Sequence, residues 1–218
     1  MNLFLMDIDG TLVDCESVDT KCYSRAIKDV LGVDVDADWS HYQNVTESGV
    51  LDEILARNEV IANRLLIHRQ VEKRYLERLR EFLATHPAEL NQVQGAKDFI
   101  EQMKERDDTY LAIATGGWES VAKLKLRAVG IDVSNITFAS SSDAMSRTEI
   151  MALAAFRAKQ DTGFSFKRRV FFGHGEWNKF ASQELGYDFV AVGENTQHHT
   201  HIPNLVHYQA AFSQLSIH

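Results

Sequence analysis

The chain has 218 residues, 44% hydrophobic and 25% charged, which suits one large globular domain or one domain carrying a smaller insert. Its formal net charge of −8 leaves no basic surplus to neutralise a nucleic-acid backbone, although a small phosphorylated ligand needs only a few local cations. Cys15 and Cys22 fit neither a disulfide framework nor a paired zinc site. The apolar run at the N-terminus lacks a basic flank and is broken by Asp7, and no stretch approaches the roughly 18 apolar residues of a membrane span. The expected setting is reduced and cytoplasmic, away from membranes.

The chain opens on Leu3-Phe4-Leu5-Met6-Asp7-Ile8-Asp9-Gly10-Thr11-Leu12-Val13-Asp14, which reads as a short buried strand ending in acid. Side chains alternate along a strand, so Asp7 and Asp9 leave from one face. Two close carboxylates are costly unless a cation or a shared proton relieves them. Gly10 permits a sharp turn beyond them.

Val18, Cys22, Ala26, Ile27, Val30 and Leu31 recur at helical spacing, and Gly32 closes that helix. Residues 33–45 are acidic and irregular. A second helix is expected over Thr46 to Arg57 and a longer third over about Glu59 to Thr85, ended by Pro87. The third carries an apolar stripe of Val60, Leu65, Ile67, Val71, Tyr75, Leu79 and Phe82, read as core. Thr46-Glu47-Ser48-Gly49 opens the second helix, and either Thr46 or Ser48 is suited to cap it.

The character then changes. An amphipathic helix over Gly95 to Arg106 leads to the buried run Tyr110 to Ala114, which ends in Thr115-Gly116-Gly117. A helix follows to Val129, stopped by Gly130. Ile136 to Ala139 is a further strand. Ser146 caps a helix to about Gln160, with Glu149 completing a capping-box pattern. Val170 to Phe172 is a strand ending at Gly173, a helix covers Trp177 to Leu185, and Phe189 to Val192 and Leu205 to Tyr208 read as last strands. His198-His199-Thr200-His201 reads as a solvated loop, with a surface metal clip as the rival reading. Strands alternating with helices predict an α/β fold with an open parallel sheet. The expected division is a core of 1–13 and 89–218 with a helical insert of 14–88. Ligands of such sheets bind at the carboxyl ends of the strands. Asp7/Asp9, Thr115 to Gly117, Ser140 to Asp143 and Gly173 to Gly175 all fall at such ends.

These residues resemble the haloacid dehalogenase (HAD) superfamily, whose core is a Rossmann-like parallel sheet. Asp7-Ile8-Asp9-Gly10-Thr11 resembles its first motif, in the form that phosphatases and phosphomutases carry. Ala112 to Gly116 resembles the second, and Arg147 stands where the third has Lys or Arg. Phe171 to Asn178 resembles the fourth, and the helical insert resembles a C1-type cap. The resemblance covers nearly the whole chain in the expected order.

It implies Asp7 as the nucleophile that forms an aspartyl-phosphate and Asp9 as general acid and then base. It implies Thr115 and Arg147 in the catalytic set, and Gly10, Thr115, Gly116 and Arg147 around the phosphate. It further implies Mg²⁺, with the metal positions falling on Asp7, Asp9, His174 and Asn178. The last two depart from the family, which has acids there. Mg²⁺ prefers oxygen ligands, whereas imidazole suits transition metals, so metal affinity and rate are expected to fall. Three readings stay open. One is a phosphohydrolase of small phosphorylated metabolites with weak or altered metal use. Another is a phosphate-ligand binder or regulatory relative without turnover. The third is a site where His174 and Asp7 recruit a transition metal. The helical insert is expected to choose the substrate.

Overall fold

In the computed structural model, residues 1–194 and 196–217 are described. β1 (Asn2–Met6) is the centre of a six-stranded parallel sheet. β2 (Val13–Asp14) then leads up to α1 (Glu16–Leu31), α2 (Glu47–Arg57) and α3 (Arg64–Thr85). β3 (Asn91–Gln92) returns, pairing antiparallel with β2. There follow α4 (Ala96–Lys104), β4 (Thr109–Ala114), α5 (Glu119–Ala128), β5 (Thr137–Ala139), α6 (Arg147–Thr162) and β6 (Arg168–Gly173). The chain ends with α7 (Glu176–Leu185), β7 (Asp188–Val192), β8 (His201–Ile202) and α8 (Tyr208–Gln214). The strand order is β5-β4-β1-β6-β7-β8.

The period-two alternation of the strands builds the two faces of the sheet. Phe4 and Met6 of β1 pack with Ile113, Phe172, Phe99 and Phe212 on one face, against α4, α5 and α8. Leu3 and Leu5 pack with Ala112, Ala114 and Phe171 on the other, against α6 and α7. β1 pairs with β4 on one side and β6 on the other. The loops after these three strands therefore meet above the middle of the sheet.

The three inserted helices have their own apolar centre, in which Val71, Tyr75 and Leu79 of α3 meet Val18, Tyr23 and Ile27 of α1. Trp118 and Val121 of the sheet layer join that cluster, so the two layers share packing. Among the described residues no helix is long and apolar enough to cross a membrane.

Two expectations are corrected. α3 begins at Arg64 rather than near Glu59: Glu59 takes a left-handed φ of 53°, and Asn63 caps the helix by accepting from the Leu66 N–H. Within its expected stripe, Leu65 is exposed. Residues 205–208 are no strand. The Asn204 side chain accepts from the Val206 N–H and winds Leu205–His207 into a 3-10 turn that runs into α8. The last strand, β8, includes His201 of the histidine-rich loop, whose Nε2 lies 2.7 Å from the Gly193 carbonyl.

Candidate active site

Asp7 follows β1 directly and is 1% exposed. Its Oδ1 accepts from the Ile8 N–H at 2.9 Å. Its Oδ2 accepts from Arg147 Nη1 at 3.0 Å and Asn178 Nδ2 at 2.6 Å. Three chain segments thus converge on one carboxylate. Arg147 is the first residue of α6, aimed inward because Ser146 caps that helix and accepts from the Glu149 N–H at 3.1 Å. Asn178 lies in the first turn of α7, fully buried. Its Nδ2 also donates to the His174 carbonyl at 2.7 Å. Both of its neighbours are acceptors, which fixes the amide nitrogen toward them.

Asp9 faces a different set of partners. Lys125, fully buried on α5, places its Nζ 2.7 Å from Asp9 Oδ1 and 2.8 and 3.0 Å from the two oxygens of Asp19 on α1. Cys15 Sγ donates to the same Asp9 oxygen at 3.1 Å, and the Tyr75 hydroxyl donates to Asp19 at 2.5 Å. Burial raises the Asp9 carboxyl, but Lys125 outweighs it and holds the group below its ordinary range. Burial wins at Asp19, which is pushed up to about 6 although Lys125 pulls it down. Asp9, Cys15 and Asp19 are close enough to hold an ion together; here the Lys125 ammonium is the cation among the acids. Lysine at 125 was missed in the sequence. The available signal was its place on the buried stripe of α5 beside Val121, Ala122 and Leu126.

Thr115 is fully buried and its Oγ1 accepts from the Gly117 N–H at 3.2 Å, closing the turn after β4. Gly116 lies flat against the Arg147 guanidinium, which a Cβ at 116 would strike. Gly116 has no left-handed backbone and a guanidinium can swing. Gly116→Ala should therefore change stability by less than about 1 kcal/mol while moving Arg147 off Asp7. A roughly tenfold loss of inorganic phosphate affinity by calorimetry is the expected result; unchanged affinity would detach Arg147 from phosphate. Gly10 has φ +69°, and a Cβ there would meet the His174 ring at 2.6 Å. Glycine at 10 thus lets that imidazole close over the loop. The His174 Nδ1, Trp177 Nε1 and Asn178 Oδ1 are buried without hydrogen-bond partners among the described residues.

The helical insert reaches the site through the start of α2. Thr46 caps that helix, accepting from the Gly49 N–H at 3.0 Å, and its hydroxyl donates to the Met145 carbonyl at 2.6 Å. The Glu47 N–H donates to the Gly116 carbonyl at 2.8 Å, and Glu47 Oε2 accepts from the Trp118 N–H at 2.6 Å. The Ser48 N–H donates to Ser141 Oγ at 2.9 Å. These bonds roof a cavity of about 110 Å³ lined by Asp7, Asp9, Gly10, Gly116, Arg147 and His174 below. Above lie Tyr23, Trp39, Val50, Tyr75, Asp19 and Glu47. Lys167, Arg168 and Arg169 stand at the far end of the sheet, away from this cavity.

A family profile described as haloacid dehalogenase-like hydrolase matches residues 4–174. A hydrolase from Pseudomonas syringae superposes with a TM-score of 0.75 at 14% identity, covering 99% of each chain. CbbY from Rhodobacter sphaeroides, in complex with phosphate, gives 0.70 at 17% identity over 95% of this chain and 96% of that one. A β-phosphoglucomutase from Clostridium difficile gives 0.70 at 13% identity over the full length of both. At these identities the likeness is one of fold. No curated protein matches the sequence at a significant level.

Proposed function

The chain belongs to the haloacid dehalogenase-like hydrolases, and we propose that it hydrolyses a small phosphate monoester through an aspartyl-phosphate on Asp7. The observation that carries this reading is Asp7 itself. It is a buried carboxylate at the end of the central strand, with an arginine on one oxygen and a half-open pocket in front of it. Neighbours of the same fold include a protein described as a β-phosphoglucomutase. CbbY is described in complex with xylulose-1,5-bisphosphate.

Members of this family generally use Mg²⁺. The residues present here do not fit that ion. Mg²⁺ requires oxygen donors in tight octahedral array, yet the group facing Asp7 Oδ2 from position 178 is an amide N–H donor, and position 174 offers an imidazole. The acid cluster of Asp9, Cys15 and Asp19 already holds an ammonium. Arg147 and the Asn178 amide stand where charge on the nucleophile and the phosphate must be offset.

The chemistry assigned to this chain is as follows. Arg147 and the backbone around Gly116 bind the phosphoryl oxygens. Asp7 attacks phosphorus and the bond to the leaving oxygen breaks as a proton passes to that oxygen from Asp9. Water then attacks the aspartyl-phosphate, Asp9 takes one of its protons, and the Asp7 carboxylate is released. The Asp9 oxygen not held by Lys125 faces the cavity beside Gly117, as that step requires.

Phosphate release from p-nitrophenyl phosphate and a panel of small phosphate esters tests the reading. Turnover is expected with rates equal in Mg²⁺ and in EDTA. Asp7→Asn should lose on the order of 10⁴-fold or more. Rates abolished by EDTA would sink the metal-independent part. The loss of acids at 174 and 178 favours one rival, a phosphate binder without turnover. That rival gives thermal stabilisation by phosphate and no product from any ester.

A further inference from the structure

The two halves of the cavity differ in chemistry. Its floor offers Arg147 and backbone for a phosphoryl group. Its roof offers rings and acids: Tyr23, Trp39 and Tyr75 stand with Asp19 and Glu47. Among the lining residues four carboxyls face one guanidinium, that of Arg147. Lys125 lies behind the wall and is already divided between Asp9 and Asp19. A second phosphate or a carboxylate on the ligand would meet like charge and, among the described lining residues, no further cation.

Glu47 gives the roof its sense. Its Oε2 is taken by the Trp118 N–H, while its Oε1 is buried and, among the described residues, accepts no hydrogen bond. That free oxygen lies within 3.3 Å of the point where a Cβ on Gly117 would stand, next to Asp9. A buried acceptor left unpaired is costly, and a buried carboxylate more so. Burial accordingly holds the Glu47 carboxyl well above its ordinary range; Lys125 opposes this and Asp19 adds to it. A ligand hydroxyl would satisfy the acceptor but would not offset the carboxylate charge that burial disfavours. A ligand ammonium does both, and the tyrosine and tryptophan rings beside it favour a cation further.

We infer that the cavity takes an aminoalkyl phosphate, with its phosphate on Arg147 and its ammonium on Glu47 between the rings of Tyr23, Trp39 and Tyr75. This rests on the phosphohydrolase reading for turnover but not for binding. Glu47 is then a specificity residue supplied by the insert.

The test compares 2-aminoethyl phosphate with two esters of similar size, glycolate phosphate (anionic) and glycerol phosphate (neutral). The expected result is a kcat/KM at least tenfold higher for the amine than for either comparator. Glu47→Gln keeps an acceptor for the Trp118 N–H. It should erase most of that preference through a raised KM for the amine rather than a lowered kcat. Equal or better use of either comparator, or a preference that survives Glu47→Gln, overturns the inference. Should the variant fail to fold, the parent's ranking of the three esters decides. Thermal shift with the same three compounds keeps this inference apart from the hydrolase reading. No turnover with selective stabilisation by the amine supports the inference and sinks only the hydrolase. No turnover and no selective stabilisation sinks both.

Discussion

Lys125→Met should cost about 3–5 kcal/mol of stability at neutral pH, the usual effect of removing one partner from a buried ion cluster. For a chain of this size that lowers Tm by roughly 6–20 °C. The lysine is fully buried and its ammonium touches both Asp9 and Asp19 at 2.7 and 2.8 Å. Methionine fills similar volume, so packing loss is small and the cost is that of two carboxyls left without a cation. The cost must therefore depend on pH. In the parent Asp19 titrates near 6, above its unfolded value of 3.8. Between about pH 4 and 6 the folded chain keeps a proton that the unfolded chain has lost, so this group's contribution to stability falls as pH rises and levels off above 6. Without Lys125 both acids hold their protons to higher pH. The deficit of the variant should thus be smallest near pH 4 and should grow as pH rises through 6 and beyond. Urea unfolding of both proteins across that range reads it directly. A deficit that is flat with pH, or below about 1 kcal/mol, would mean that Lys125 does not carry the charge of these acids. Adding Asp19→Asn to the variant should recover part of the loss, because one unpaired charge is gone.

The same lysine shows where sequence reasoning ended. The sheet was legible because its strands bury both faces and alternate in step with α4 to α7, a local signal repeated along the chain. Asp7, Thr115, Gly116, Arg147 and Asn178 were legible as candidates because each sits at a strand end or a helix start. What those candidates bond to was not. Lys125 meets Asp19 across 106 residues, and Glu47 meets the Trp118 N–H across 71. No local pattern encodes such pairs. Glu47 was visible only as part of a helix start, and its buried free oxygen exists only once α2 is laid on the turn after β4. The paired acids Asp7 and Asp9 read as one cluster relieved by a cation or a shared proton. In the fold they divide, Asp7 toward Arg147 and Asn178, Asp9 toward Lys125. The shortest strands were illegible for a different reason. β8 has two residues and β2 and β3 two each, too short for any periodicity to register.

Restoring acids at both fourth-motif positions should create a demand for a cation that the parent lacks. In the parent, Asn178 Nδ2 donates to Asp7 at 2.6 Å. Asn178→Asp replaces that donor by a carboxylate oxygen and sets two buried anions against each other. His174→Asp removes an imidazole whose Nδ1 has no partner among the described residues and adds a third anion. Arg147 alone cannot offset three. With divalent ions chelated, the double variant should lose about 3–5 kcal/mol. Mg²⁺ at a hundredfold above its Kd should then return about 2.7 kcal/mol. The parent, whose Asp7 is already bonded on both oxygens, should show no Mg²⁺-dependent shift in Tm. The double variant's hydrolysis of an aryl phosphate should rise with Mg²⁺. A parent stabilised by Mg²⁺ as strongly as the variant would refute the assignment of Arg147 and Asn178 as the groups that stand in for the metal. A variant that binds Mg²⁺ without gaining rate would place the limitation at Asp9, whose one oxygen is fixed by Lys125. Thermal shift separates these outcomes from the rate, because it reads the cation whether or not phosphate chemistry follows.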